Sequence, residues 1–292
     1  MMKKVLPFLL LALLACSCSM ARYARGPESR EIEGLTGYDG IIETVTYPSG
    51  ERELSERRFV VYLPKDYYRD SLRRYPVMYV LHGARGNEKT WIDSADVFHC
   101  IDTLRRQGRA KDFILVLPNV NNYRSDSDYR NGRAIPATRA FFTVDGEMER
   151  HFVHDVVWRV DSLYRTVGLK SGRAIAGMSC GALQALYLSA NQPHLFDYVG
   201  LFSPYAYPTI AAKYHRDVYG GLRWKLERQF AEPPAYYAIY IGKTDFFYPH
   251  MRLFDRRLTR HGYAHRLVVT PGGHEWYNWS AFLEDFCQEA FK

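Results

Sequence analysis

The chain has 292 residues, of which 47% are hydrophobic and 15% aromatic, so it is long enough to bury the core of one large α/β domain or of two small ones. Its formal net charge is +7, and the basic residues are scattered among acidic ones. Because no run of five or more like charges occurs, we expect a solvated surface and no nucleic-acid partner.

The N-terminus has the pattern of an export signal. Two lysines precede an apolar run, Val5 to Ala15, that is too short to span a bilayer. The run ends in Leu-Leu-Ala-Cys16, which resembles a bacterial lipobox, although leucine is less usual at its middle position. We therefore expect a lipoprotein signal peptide over residues 1–15, lipidation of Cys16 and a polar tether over 16–37. This predicts attachment to a bacterial cell membrane, on the periplasmic or the surface face. Ordinary secretion, with cleavage near residues 17–19, is the alternative.

The first elements after the tether are predicted to be strands. Residues 40–47 alternate and are rich in β-branched side chains, a Pro-Ser-Gly turn follows, and residues 53–63 return, which predicts an antiparallel hairpin. Two continuous apolar runs, 75–81 and 113–118, predict strands buried on both faces. One helix over about 91–107 is expected between them, with Asp93 or Ser94 as its cap.

A polar and aromatic segment, 119–147, follows without clear periodicity. Connections of this length in compact domains are usually functional or mobile, so we expect part of a substrate rim here, with Tyr123, Tyr129 and Phe142 as walls. An irregular surface loop is the equal alternative. Further candidate substrate contacts are Arg85, Tyr205 and Trp276.

The most informative motif is Gly177-Met-Ser179-Cys-Gly181. A short apolar run leads into it and an Ala/Leu-rich helical pattern, 182–190, follows, which is the strand–turn–helix context of a nucleophile elbow. Both glycines are needed because a Cβ would clash across so tight a turn, and the turn strains Ser179 while exposing its hydroxyl. A loop serine that happens to be bracketed by glycines is the plain alternative.

The remaining elements alternate between strands and helices. Strands are predicted at 198–203, 236–241 and 265–270, and helices at 149–164, 251–260 and 279–291. This alternation predicts one α/β domain over 38–292, with a mainly parallel central sheet, helices on both faces and the N-terminal antiparallel hairpin.

The chemistry suggested by the elbow needs two further groups. Ester hydrolysis at neutral pH requires a base to take the serine proton and a carboxylate to orient that base. In α/β-hydrolases the chain order is Ser, acid, His, and Ser179, Asp245 and His274 each follow a predicted strand in that order. The alternatives are Asp255 and Asp217 for the acid, and His250, His261 and His265 for the base.

The tetrahedral oxyanion needs rigid hydrogen-bond donors, which backbone N–H groups supply. One donor is expected from Cys180, directly after the nucleophile, and another from the loop that follows the 77–81 strand. The Cys180 side chain itself is expected to pack. No metal-binding or nucleotide-binding motif occurs in the sequence, so we expect no cofactor.

Five segments of the chain resemble the putative-esterase family, which includes esterase D, feruloyl esterases, enterochelin esterases and mycolyltransferases. They are Val61-Tyr-Leu-Pro64, Tyr75-Pro-Val-Met-Tyr-Val-Leu-His82-Gly83, Phe113-Ile-Leu-Val-Leu-Pro-Asn119, Ala176-Gly-Met-Ser-Cys-Gly181 and Pro271-Gly-Gly-His-Glu-Trp276. The resemblance covers residues 38 to 291 and implies an α/β-hydrolase fold, a serine carboxylesterase and Ala84 as the second oxyanion donor. The family usually has Gly-x-Ser-Met-Gly-Gly, whereas this chain has Ser179-Cys180-Gly181-Ala182. The change leaves the backbone donor in place, but it alters helix packing and pocket shape.

We therefore expect an exported serine esterase that removes feruloyl or acetyl groups from plant polysaccharide, with acylated polysaccharides or oligosaccharides as substrates. The choice of substrate rests on the family analogy and on the tyrosine-rich rim. Hydrolysis of siderophores or other small esters, and acyl transfer, are the enzymatic alternatives. A non-catalytic carbohydrate-binding lipoprotein on a hydrolase fold is the alternative from another class.

Overall fold

The computed structural model describes residues 29–33, 37–121, 126–132 and 144–292. Within these residues, nine strands form one sheet in the order β1-β2-β3-β5-β4-β6-β7-β8-β9. The strands are β1 (Ser29–Glu33), β2 (Ile41–Pro48), β3 (Glu56–Leu63), β4 (Val77–Leu81), β5 (Ile114–Pro118), β6 (Arg173–Met178), β7 (Tyr198–Phe202), β8 (Tyr236–Gly242) and β9 (Arg266–Thr270).

Helices connect most of these strands. The α-helices are α1 (Thr90–Ala95), α2 (Val97–Arg106), α3 (Asp126–Arg130), α4 (Glu147–Phe152), α5 (Trp158–Leu163), α6 (Cys180–Asn191), α7 (Thr209–Tyr214), α8 (Arg216–Tyr219), α9 (Leu222–Ala231), α10 (Tyr248–Arg260) and α11 (Trp276–Glu289). A π-helical turn, Val153–Val157, joins α4 to α5, and a 3₁₀ turn, Lys170–Gly172, precedes β6.

The sheet is parallel from β5 through β4, β6, β7 and β8 to β9, and antiparallel from β1 to β3 and across the β3–β5 pair. Every residue of β4, β5 and β6 is buried, because helices cover both faces of the sheet. The predicted α/β-hydrolase fold, with a mainly parallel sheet and an N-terminal antiparallel hairpin, is confirmed.

Two apolar clusters form the core, one on each face of the sheet. Helices α6 and α10 contribute to the first cluster, and α2 and α11 to the second. Because parallel strands all run in one direction, the loops that follow β4, β6, β7, β8 and β9 meet at one edge of the sheet. That edge carries the residues discussed below.

Two predicted elements differ in detail from the structure. The single helix expected over 91–107 is two helices, because Asp96 adopts a left-handed conformation with φ 42° between them, and Asp93 and Ser94 lie inside the first helix rather than capping it. Strand β1 lies within the segment predicted to be a polar tether. Arg30 on this strand forms a salt bridge with the buried Glu43 of β2, which fastens β1 to the edge of the sheet.

The predicted signal peptide, Cys16 and most of the predicted tether lie outside the described residues. Among the residues that the structure describes, no helix has both the length and the apolar character needed to cross a membrane.

Candidate active site

Ser179 occupies the turn between β6 and α6. Its backbone has φ 53° and ψ −115°, a conformation that side chains with a Cβ rarely adopt and that costs on the order of 1–3 kcal/mol. The Ser179 N–H donates to the carbonyl of Phe202 at the end of β7, with N and O 2.9 Å apart. The neighbouring strand thus holds the strained serine in place.

The glycines on either side of Ser179 make this turn possible. A Cβ on Gly177 would lie 2.6 Å from the carbonyl carbon of Gly181, and a Cβ on Gly181 would lie 2.7 Å from the carbonyl oxygen of Leu81. Such contacts are backbone collisions that no rotamer change relieves. The packing therefore requires glycine at both positions, as the sequence analysis argues.

A chain of two hydrogen bonds connects Ser179 to a buried carboxylate. The Ser179 Oγ lies 2.9 Å from His274 Nε2, and His274 Nδ1 lies 2.8 Å from Asp245 Oδ2. Asp245 follows β8 and His274 follows β9, so both side chains reach Ser179 from loops at the same sheet edge. With a proton on Nδ1 donated to Asp245, Nε2 is free to accept the serine proton.

The alternative acids are engaged elsewhere. Asp255 lies 3.1 Å from the Nε2 of His265, and Asp217 accepts a hydrogen bond of 2.7 Å from the Nε of Arg150. Among the aspartates considered from the sequence, Asp245 is therefore the one that the structure brings to His274.

Asp245 is 3% exposed and accepts hydrogen bonds from several donors. Burial alone raises the pKa of this carboxyl, but hydrogen bonds from His274, from the Phe247 N–H at 2.8 Å and from the Ser203 hydroxyl outweigh it. Their net effect lowers the pKa of Asp245 below its ordinary value. The side chain is thus ionised at neutral pH and stabilises a positive charge on His274.

Ser203 is a further residue of the site, and it was not predicted from the sequence. It directly follows β7, has φ 51°, and its Oγ also accepts a hydrogen bond of 3.2 Å from the indole N–H of Trp279. The Ser203 hydroxyl also lies near enough to Asp245 to contribute to the lowered pKa of that carboxyl. Its position at the exit of a predicted strand was the available signal.

The loop after β4 lies beside Ser179. Gly83 to Gly86 form a turn closed by a hydrogen bond of 3.1 Å, and a Cβ on Gly83 would be 3.6 Å from the Cβ of Ser179. In this loop the Ala84 N–H lies near the sulfur of Cys180 and acts to lower the pKa of that thiol. Burial raises the pKa of the Cys180 thiol to about 12, so the sulfur is a neutral, weak acceptor. An oxyanion is a stronger acceptor and would displace it.

His82 supports this loop from the inside, a role that the sequence did not indicate beyond the His-Gly pair. Its Nδ1–H donates to the carbonyl of Gly83 at 2.7 Å, and its Nε2 accepts the Val120 N–H at 2.9 Å. Burial lowers the pKa of His82 to about 4, so the ring is neutral at neutral pH and connects the loops after β4 and β5.

Two of the predicted substrate contacts lie in an aromatic shell around His274. The ring of Tyr205 stacks on that of Phe247, whose centroid is 5.5 Å from His274. Trp276 packs edge-on against Trp279, whose ring is 5.0 Å from His274. Both predicted residues therefore lie one ring away from the imidazole.

The other predicted contacts have different outcomes. Arg85 is exposed and has φ 64° in the turn next to Ala84. Tyr129 is corrected to a packing residue, because it is buried against Leu54 with the Arg58 guanidinium over its ring. Tyr123 and Phe142 lie outside the described residues.

Phe246 is a neighbour of His274 that the sequence analysis missed. Its ring centroid lies 4.4 Å from that of His274, yet 62% of its surface is exposed to solvent. No general sequence rule marks an aromatic residue directly after an acid as part of a site.

Among the residues with described positions, no group of three or more His, Cys, Asp or Glu side chains is arranged to hold a metal ion.

Comparison with known proteins places these features in a family. The family described as Putative esterase matches residues 53–288. An endo-1,4-beta-xylanase/feruloyl esterase of Xylanibacter ruminicola is 27% identical over 258 residues, which cover 87% of this chain but only 32% of that protein. The chain thus spans about a third of the length of this curated relative.

Solved structures of esterases are also similar to this chain. A CE1 ferulic acid esterase, AmCE1/Fae1A from the anaerobic fungus Anaeromyces mucronatus, superposes with a TM-score of 0.70 at 26% identity, covering 92% of this chain and 94% of that one. The S-formylglutathione hydrolase FrmB of Staphylococcus aureus has a TM-score of 0.67 at 16% identity, covering 92% and 99% of the two chains, and shares the fold.

Proposed function

Because the chain belongs to the putative-esterase family, we propose that it is a serine carboxylesterase in which Ser179 is the nucleophile, His274 the general base and Asp245 the orienting carboxylate. One observation carries the proposal: the unbroken hydrogen-bond chain from the strained Ser179 through His274 to the buried Asp245. A serine hydroxyl that is hydrogen-bonded to a histidine, which is in turn oriented by a carboxylate, is the arrangement that activates serine for acyl transfer.

In the first half of the reaction, Ser179 Oγ attacks the carbonyl carbon of the ester while its proton passes to His274 Nε2. The oxyanion that forms accepts hydrogen bonds from the backbone N–H groups of Ala84 and Cys180. The bond between the carbonyl carbon and the alcohol oxygen then breaks, and His274 returns the proton to that oxygen. The alcohol leaves and the acyl group remains on Ser179.

In the second half of the reaction, water is the nucleophile and Ser179 Oγ is the leaving group. Water gives a proton to His274 Nε2 as its oxygen attacks the acyl carbon, and the same N–H groups stabilise the second oxyanion. The bond to Ser179 Oγ breaks, and the oxygen recovers its proton from His274. Asp245 stays ionised throughout and balances the imidazolium charge twice per turnover.

We propose feruloyl or acetyl esters of plant polysaccharide as the substrates. The support comes from the activities for which the relatives are named, a xylanase/feruloyl esterase and a ferulic acid esterase, and from the aromatic shell around His274. Aromatic side chains of this kind favour flat acyl groups and sugar rings.

We further propose that the protein is exported and anchored to a bacterial membrane through a lipid on Cys16. The support is the lipobox-like end of the apolar run at residues 13–16. Metabolic labelling with a fatty acid tests this, since label should enter the wild-type protein and be lost in Cys16→Ala. Equal labelling of both would contradict the anchor.

The test of the enzymatic proposal is Ser179→Ala, assayed on methyl ferulate and p-nitrophenyl acetate. We expect kcat to fall by roughly 10³-fold or more on both esters, because no group near the remaining donors can replace the hydroxyl. Circular dichroism of the variant provides the control for folding. Retention of activity on either ester by the folded variant would overturn the proposal.

A further inference from the structure

The alcohol half of the ester must lie beside His274. When the acyl-enzyme forms, His274 protonates the departing oxygen, which requires that oxygen to come within roughly 2.6–3.2 Å of Nε2. The carbonyl oxygen points to the N–H groups of Ala84 and Cys180, so the alcohol group occupies the space next to the imidazole. Side chains that touch His274 on its open side therefore contact the alcohol.

Phe246 is such a side chain, and it is held in a fixed position although it is exposed. Its ring lies 4.4 Å from the centroids of both His274 and Phe247. Phe247 is fixed in turn, because its N–H donates to Asp245 and its ring stacks on Tyr205. The exposed surface of Phe246 is thus a rigid apolar platform next to the leaving group.

From this geometry we propose, on the basis of the proposed esterase function, that Phe246 determines alcohol specificity by stacking against a sugar ring of the leaving group. The apolar C–H face of a sugar covers the ring and removes it from water. Exposed Lys243 and Thr244, on the same loop, provide polar groups for the sugar hydroxyls. A Cβ on Gly273 would lie 3.5 Å from the Thr244 Oγ1, so Thr244 also borders the His274 loop.

The exposure of Phe246 is better explained by contact with a ligand than by shielding of the His274 imidazole. A phenylalanine that only covered one face of the imidazole could bury its outer surface against the protein, whereas 62% of this side chain faces solvent. Leaving that area in water forgoes stabilisation that burial would supply. Stacking with the substrate recovers it only when a sugar is bound.

The kinetic experiment compares methyl ferulate, whose alcohol is a single carbon, with a feruloylated arabinoxylan trisaccharide. In Phe246→Ala we expect KM for the trisaccharide ester to rise about fivefold to tenfold, since the lost stacking surface is apolar. The loss of kcat/KM on methyl ferulate should be smaller, so that the ratio of the kcat/KM values for the two esters changes by about fivefold or more. Phe246→Trp should keep the trisaccharide KM. The matched control is Leu253→Ala, an exposed apolar residue on α10, which should change neither substrate.

An equal loss on both esters in Phe246→Ala would overturn the inference, because the ring would then act by positioning His274. Unchanged kinetics on both would overturn it as well. A binding measurement separates this inference from the proposed function. In saturation-transfer NMR, the deacylated trisaccharide should contact wild-type protein and Ser179→Ala alike and lose the contact in Phe246→Ala. If the wild-type protein shows no esterase activity but binds the sugar in a way that depends on Phe246, the proposed esterase function is refuted and the inference about Phe246 is retained.

Discussion

Asp245 and Glu43 are both buried and each accepts several hydrogen bonds, yet they belong to different kinds of region. Asp245 accepts from His274, the Phe247 N–H and Ser203. Glu43, fully buried on β2, accepts from Arg30 at 2.7 Å, from Tyr164 at 2.8 Å and from Tyr68. By burial and by number of donors, the two sites look alike.

The difference lies in what each donor is connected to. The chain from Asp245 continues through an imidazole that can take a proton and ends on the strained Ser179 at the open edge of the sheet. The bonds to Glu43 end on two phenols and a guanidinium, which fasten β1 and the segment after α5 to β2. A buried, well-bonded carboxylate is thus not by itself a sign of catalysis. In the proposed mechanism, what distinguishes Asp245 is its connection through His274 to Ser179 at the carboxyl edge of the sheet.

The largest expected effect is that of Asp245→Asn on turnover. The amide cannot accept the Nδ1 proton in the same way, so His274 takes the wrong tautomer, and we expect kcat to fall by about 10⁴-fold. The melting temperature should move by only a few degrees, since the amide fits the same space. Steady-state kinetics and a thermal melt check both halves. A loss of less than tenfold in kcat would remove Asp245 from the proposed triad.

The matched change at the other site, Glu43→Gln, should have the opposite profile. Removing the buried charge leaves its donors poorly satisfied, and we expect the free energy of unfolding to fall by about 3 kcal/mol. The kcat per folded molecule should remain within about twofold. Urea denaturation gives the first value and active-site titration the second. A large loss of kcat without loss of stability would erase the contrast between the two carboxylates.

A third buried carboxylate, Glu149, sharpens the comparison because the Tyr219 hydroxyl donates to its Oε1, whereas no group among the described residues forms a hydrogen bond with its Oε2. Burial raises the pKa of Glu149 to about 7. In the unfolded chain this group ionises near its ordinary pKa of about 4.3, so between that value and 7 the folded state binds more protons, and stability falls as pH rises. In Glu149→Gln the side chain no longer ionises, so this pH-dependent contribution to the free energy of unfolding is lost.

We therefore expect the variant to gain about 2 kcal/mol of unfolding free energy relative to wild type between pH 5 and pH 8. The difference between the two proteins isolates Glu149, because the opposing contribution of His82, whose pKa is lowered to about 4, is common to both. Urea unfolding at the two pH values measures it. A difference that does not change with pH would contradict the assignment.

The smallest expected effect is that of Ser203→Ala. One hydrogen bond to Asp245 is lost while the bonds from His274 and Phe247 remain, so kcat should fall about fivefold, the equivalent of roughly 1 kcal/mol. The matched control is Ser189→Ala, another buried serine, whose hydroxyl bonds to the Leu186 carbonyl in α6. It should leave kcat unchanged. Equal effects of the two substitutions would show that Ser203 only packs.

The parts of the site that follow from chain order could be anticipated from the sequence. Ser179, Asp245 and His274 each follow a strand of a parallel sheet, and such positions meet at one edge whatever the packing details. The hairpin and the steric need for glycine around Ser179 follow from equally local rules. For this reason the fold and the positions of the three polar groups were predictable.

The roles of Ser203, His82 and Phe246 depend on contacts that no local pattern encodes. The Ser203 hydroxyl accepts a hydrogen bond from Trp279, which lies far along the chain. His82 accepts one from the backbone N–H of Val120 on a neighbouring loop. Tyr129 lies in a polar and aromatic segment of the kind expected to form a substrate rim, but Leu54 and Arg58 cover its side chain. Likewise, the break at Asp96 interrupts a helical pattern that reads as continuous.

The most direct test of the account is to detect the acyl-enzyme. The protein is mixed with methyl ferulate, quenched in acid after milliseconds to seconds, and digested for mass spectrometry. We predict one feruloyl group per protein on the peptide that contains Ser179, accumulating in wild type and absent from Ser179→Ala. A feruloyl group on a different residue, or turnover of methyl ferulate by Ser179→Ala, would contradict the claim that Ser179, His274 and Asp245 form the catalytic centre.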